Sequence, residues 1–208
     1  MKSSFILAAI YGIVNAAGDP LPDWEITPGP GMPSLEAVGL SKEKLHKMSL
    51  EEMANPGTHV KARAISRIER SPLVGRQDIE RYCLPEHPAE ESCALACILY
   101  LHSLGNTPCV ASEGLPDWCV CRRPGTNGAA ILGFSRPSVS YSCRDIANTM
   151  SWVPNNADCH YKGTCGKYDH CVGGFIVIDG VLLKLRKNLN EHGGPCIEGQ
   201  NYVHRCVL

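Results

Sequence analysis

The chain predicts an α+β fold: a disulfide-rich two-layer sandwich whose antiparallel sheet carries two helices on one face. Three observations predict it. All twelve cysteines lie between Cys83 and Cys206, behind a hydrophobic N-terminal segment, which is the pattern of an exported, disulfide-stapled domain. Two stretches of that block, 91–104 and 141–153, space their apolar residues as helices do. Short apolar runs supply the strands, two of them joined by Asp179-Gly180, a strong hairpin signal.

Residues 1–16 have the parts of a signal peptide. Lys2 is the positive region, and Phe5, Ile6, Leu7, Ile10, Ile13 and Val14 mark an apolar stretch. Small or β-branched residues at Val14-Asn15-Ala16 place the cut after Ala16 or one residue later. The stretch falls short of the roughly 20 apolar residues of a membrane span, and no later segment reaches that length. There is no Asn-x-Ser/Thr acceptor for an N-glycan.

Residues 17–82 read as a flexible, cysteine-free leader or prosegment. They begin rich in Pro and Gly and continue into an amphipathic helix over 41–53, with Leu45, Met48, Leu50 and Met53. A basic stretch follows. In it Arg67-Ile68-Glu69-Arg70 has the R-x-x-R form that processing proteases cut, although Pro72 disfavours cleavage there. A solvated basic linker is the plainer reading.

The block 83–208 is long enough for one domain. Only 6% of the chain is aromatic, so the core is thin in large side chains and the bridges supply the margin. In the first helix Cys93, Cys97, Tyr100, Leu101 and Leu104 share a face, with Ser92 as the expected cap and Gly105-Asn106 as the stop. In the second, Ile146, Ala147, Met150 and Val153 face one way. Strands are expected at 118–121, 129–134, 172–178 and 181–185. Cys93, Cys109 and Cys121 recur as Cys143, Cys159 and Cys171, each 50 residues on, which predicts an internal pseudo-repeat of two helix-plus-strands halves. The expected structural disulfides use Cys83, Cys93, Cys97, Cys109, Cys119, Cys121, Cys143, Cys159, Cys165, Cys171, Cys196 and Cys206, with the pairing open.

No catalytic constellation stands out. Cys159, His160, Cys165, His170 and Cys171 are zinc-ligand types, but export and an even cysteine count favour bridges over metal. Cys119-Val120-Cys121 puts both sulfurs on one strand face and is not the C-x-x-C of thiol redox enzymes. The acids lack a spacing that demands acid–base work, and no G-x-S-x-G elbow is present. Arg122-Arg123 reads as an anionic contact site or a solvated turn; Trp118 and Trp152 read as packing. A net charge of −1, without aromatics among the basic residues, argues against nucleic acid as a partner. The polar stretch 154–171, with His160, Lys162, Lys167 and His170, is the expected contact loop.

Several patches carry a resemblance. Pro33-Ser-Leu35-Glu-Ala-Val-Gly39-Leu40 is similar to a PSLESLGL-type prosegment. Cys97-Ile-Leu-Tyr100-Leu101 through Leu104-Gly105 to Cys109, Ser142-Cys143-Arg-Asp145-Ile146-Ala147, and Val172-Gly173-Gly174 followed by Asp179-Gly180 are similar to further elements of the same group. The group is the ascomycete small secreted cysteine-rich, effector-like proteins. The inserted stretch with Cys165 and the Cys196/Cys206 tail depart from its pattern. The resemblance implies an extracellular or host-facing role and killer-toxin-like α/β-sandwich relatives, and it supplies no catalytic residue.

A second resemblance runs from Cys93-Ala-Leu-Ala-Cys97 through Cys109 to Asp117-Trp118-Cys119-Val120-Cys121, which looks like the opening of the fungal CFEM domain. It would nominate Asp117 as a haem-iron ligand. The 21 residues between Cys121 and Cys143 depart from that family's spacing. The expectation is therefore a secreted, monomeric, non-enzymatic protein without a cofactor that binds a host or competitor target. A CFEM-like haem carrier and an antifungal killer-type toxin are the alternatives.

Overall fold

The computed structural model describes residues 23–60, 79–85, 88–161, 171–178 and 180–188. The signal peptide, Arg67, Arg70, Lys162, Lys167, His170, Cys165, Cys196 and Cys206 lie outside them. In chain order the elements are β1 (Glu25–Pro28), α1 (Lys42–Ala54), β2 (Ile79–Cys83), β3 (Ala89–Glu90), α2 (Glu91–Ser103), β4 (Pro108–Ala111), β5 (Asp117–Arg122), β6 (Ala129–Phe134), β7 (Val139–Ser142), α3 (Cys143–Met150), α4 (Trp152–Asn155), β8 (His160–Tyr161), β9 (Cys171–Val172), β10 (Gly174–Ile178) and β11 (Val181–Arg186).

The main sheet has six strands in the order β1-β5-β6-β11-β10-β2, all neighbours antiparallel. Its central pair is β6–β11, and β11 forms a hairpin with β10 in which Ile176 faces Leu183 and Ile178 faces Val181. These four are buried, while the alternate residues Phe175, Val177, Leu182 and Lys184 are half-buried. The strand period of two thus gives the sheet a core face and a second face. Gly180, at φ 77°, provides the left-handed turn residue that joins the hairpin. Small ladders β3-β9-β8 and β4-β7 complete the strands.

On the core face, α2 packs against β5 and β6, and α3 against β10 and β11. Every residue of α2 from Cys93 to Leu101 is buried, so this helix is central to the fold. The sheet covers one side of it, and α1 and α3 cover others. Its cap is Glu90, not the expected Ser92: the carboxylate accepts from the Ser92 and Cys93 backbone N–H groups at 3.2 and 2.9 Å. The second helix is shorter than its periodicity implied. Tyr141 and Ser142 belong to β7, and Ser142 caps α3 by accepting from Asp145 N at 3.1 Å. The run expected as one strand at 172–178 is split at Gly173 between β9 and β10.

Four disulfides join described residues: Cys83–Cys159, Cys93–Cys121, Cys97–Cys119 and Cys109–Cys143. Cys171 is disulfide-bonded as well. Two of the bridges run from α2 to β5 as parallel rungs. Four residues on a helix rise about 6 Å and two on a strand about 6.6 Å, so Cys93/Cys97 and Cys121/Cys119 match in spacing. The 50-residue recurrence does not extend to the bridging. Cys93 pairs with Cys121, whereas its counterpart Cys143 pairs with Cys109 and not with Cys171.

The flexible leader is corrected for its described residues. β1 forms an edge of the main sheet, and α1 lies on α2. Trp24 and Leu45 are 0% exposed and Val60 1%. The physical reason is the apolar circumference of α2, which the cysteine-bearing part alone leaves open on one side. Among the described residues three helices of two turns or more, rather than two, therefore accompany the sheet, and β2 closes its far edge from residues also assigned to the leader.

Candidate functional site

An open cleft of about 320 Å³ lies where α1 ends, α2 begins and α4 leads into β8. Its lining comes from Glu52 and Pro56, from Glu91 and Leu95, and from Pro154, Asn155, Ala157 and His160. Each contributor is fixed locally. Glu52, 2% exposed, reverses the chain after α1 by accepting from Gly57 N at 2.6 Å and His59 N at 2.7 Å, and this sets Pro56 at the cleft. Glu91 and Leu95 sit in the first turns of α2, whose start is fixed by the Glu90 cap. Arg123 adds to that anchor, placing Nη1 3.3 Å from Glu90 Oε1 and Nε 2.7 Å from Asp23 Oδ1.

His160 is the one expected contact-loop residue that the described structure places, and it borders this cleft. Its Nε2 lies 2.7 Å from the Pro154 carbonyl. A carbonyl only accepts, so Nε2 carries the proton. The neighbouring Asn156 amide donates toward the sulfurs of Cys159 and Cys83, at 3.6 and 3.7 Å. The polar stretch leaves the described fold through β8 and re-enters through β9, paired His160 to Val172 and Tyr161 to Cys171. Both flanking cysteines, Cys159 and Cys171, are disulfide-bonded.

Bonded sulfurs are not thiolates, so Cys159 and Cys171 are withdrawn from the zinc-type cluster. Among the described residues no group of three or more His, Cys, Asp or Glu side chains could hold a metal ion. Asp117 stands elsewhere, at an irregularity where β5 meets β6, with Arg186 Nη2 3.7 Å from its Oδ1. Burial raises its carboxyl above the usual range and Arg186 opposes that rise. Neither the His160 cleft nor a small hollow beside Tyr141 and Ile146 borders Asp117. Arg123 is engaged in the α2 anchor, while Arg122 is exposed at the end of β5. Trp118 is a core residue whose Nε1 donates to Val110 O at 3.0 Å, and Trp152 is half-buried with the Arg81 guanidinium 6.0 Å from its ring.

Glu52, Pro56, Glu91 and Leu95 were not singled out from sequence as site residues. The signal for the first two was indirect: a helix as apolar as α2 needs a cover, and the amphipathic segment expected over 41–53 can supply it.

No protein-family model, curated protein or solved structure matches this chain. Among the described residues no helix is long and apolar enough to cross a membrane. The several disulfides are compatible with an extracellular protein.

Proposed function

We propose that this is a secreted, effector-like protein that acts outside the cell by binding a host or competitor target, without catalysis. The observation that carries the reading is the clamped base of the polar stretch. His160 opens β8 directly after the disulfide-bonded Cys159, β8 pairs with the strand that begins at the disulfide-bonded Cys171, and His160 borders an open cleft. A contact segment mounted on a cross-linked frame loses less conformational freedom on binding than one on a mobile loop. The motif resemblance to ascomycete secreted cysteine-rich proteins supports the same reading.

The test places a photo-crosslinking residue at position 160 and, as a control, at the exposed Val110 on β4. The oxidised protein is exposed to extracellular fluid from candidate hosts and from competing fungi. A saturable adduct at 160, suppressed by excess unlabelled protein and absent at 110, is expected. Equal labelling at both positions refutes the contact assignment, and the fluid that yields the adduct tells host from competitor. A Soret shift on haem titration that Asp117→Ala abolishes would replace this reading with the carrier.

A further inference from the structure

We infer that residues 23–60 are a non-covalent subunit of the fold, so that cutting the backbone between Val60 and Ile79 yields a two-chain protein and not a released prosegment. The piece contains no cysteine. It is nevertheless held along its length. Glu25 to Pro28 pair with Arg122 to Cys119, and Gly29 N continues the contact to Trp118 O at 3.0 Å. A methyl at Gly29 would collide with the Asp117 carbonyl, so the two backbones touch there. Trp24, Leu45 and Val60 are at most 1% exposed. From the cysteine-bearing part, Tyr100 Oη donates to Pro33 O at 2.5 Å, and Arg123 bonds both Asp23 and Glu90.

β1 and β2 occupy opposite edges of one sheet. Losing the piece would open the backbone edge of β5 and leave one side of α2 in water, two exposures that favour retention. Lys61, Arg63, Arg67, Arg70 and Arg76 all fall in 61–78, so processing there, including at the R-x-x-R of Arg67 and Arg70, matures the protein to two chains and discards nothing from residues 23–60.

The test replaces residues 64–70 of the full-length chain with one specific protease site, and cuts the secreted, oxidised protein to completion. The expected result is two bands on a denaturing gel without reductant, one gel-filtration peak at the uncut position at about 10 μM, and an unchanged far-UV spectrum. Leu45→Ala in the same chain, shown to be folded before cutting, should separate into fragments at a protein concentration at least about tenfold higher than the parent. Separate elution of the parent's fragments, loss of the folded spectrum on cutting, or an unshifted separation point for Leu45→Ala overturns the inference.

Discussion

Replacing Trp24 with alanine tests whether the N-terminal segment belongs to the cooperative fold. Trp24 is 0% exposed, sits edge-on to His46 with ring centroids 6.3 Å apart, and has Lys42 Nζ 5.9 Å from its ring centre. A tryptophan buries about 150–250 Å², worth about 4–6 kcal/mol at about 25 cal/mol per Å². Residual burial in the unfolded chain removes roughly 10–40% of that, leaving about 4 kcal/mol. One contribution opposes it: the indole Nε1 is buried without a hydrogen-bond partner among the described residues, a desolvation cost of about 1–3 kcal/mol that truncation relieves. The net expectation for Trp24→Ala is a loss of about 1–3 kcal/mol, against a usual total of about 5–15. Trp24→Phe keeps most of the apolar area and drops the unpartnered N–H, so it should cost less than about 1 kcal/mol. Guanidinium unfolding of the oxidised protein, followed by far-UV circular dichroism, measures both. If Trp24→Ala shifts stability by less than about 1 kcal/mol, or a separate early transition carries the whole change, the segment does not share the core and the reasoning fails.

Glu90→Ala removes the α2 cap and leaves Arg123, whose side chain is 14% exposed, without its buried carboxylate; a loss of about 3–5 kcal/mol is expected. Asp23→Ala, at the exposed end of the same guanidinium, should cost under about 1 kcal/mol, and thermal melts that rank the two alike would contradict the anchor. Burial, with Arg144 nearby, holds His102 below its ordinary value of 6.5, and Glu52 opposes the shift. The fold therefore favours neutral His102, so its contribution is complete above pH 6.5 and is lost as pH falls through the lower folded value. Urea unfolding from neutral to mildly acid pH should show that decline, with a shallower slope in His102→Gln; parallel slopes would count against it. A methyl at Gly133 would overlap the Trp118 ring, so Gly133→Ala should cost about 1–3 kcal/mol, and less in a Trp118→Phe background. Equal costs in the two backgrounds would show that the ring is not what the methyl meets.

What could be read from the sequence follows the length and chemistry of each element. The α2 helix, β6 and the Gly180 hairpin were legible because each has a strong pattern: a long apolar helix with a Gly-Asn stop, an uninterrupted apolar run, and a turn residue suited to positive φ. The C-x-C strand opposite an i, i+4 cysteine pair was legible as faces, though not as pairing. β1 was not, because Glu-Ile-Thr-Pro spans one alternation and its anchor, Trp24, lies just outside it. Nor were β4 and β7, four residues each: β4 alternates too briefly to set a period, and β7 has no fully buried residue to mark one. The cap was misjudged because serine is the stronger statistical choice, yet a carboxylate one position earlier that also meets Arg123 satisfies more partners. Of the site, His160 was legible as a polar residue beside a cysteine. Glu52 and Glu91 were not, since a cleft built from three distant segments leaves no local signature.

The paired rungs between α2 and β5 have a mechanical consequence. A single bridge would leave the helix free to swivel about its attachment point, whereas two, spaced one turn apart, remove both rolling and gliding against the strand. The shear displacements by which many packed helices transmit signals are therefore closed to this one. Glu91 and Leu95, at the entrance of α2, present an unyielding wall to whatever enters, and any adjustment on docking must come from the opposite rim. Outward-facing positions on such a frame can change their chemistry over generations while the frame keeps its shape.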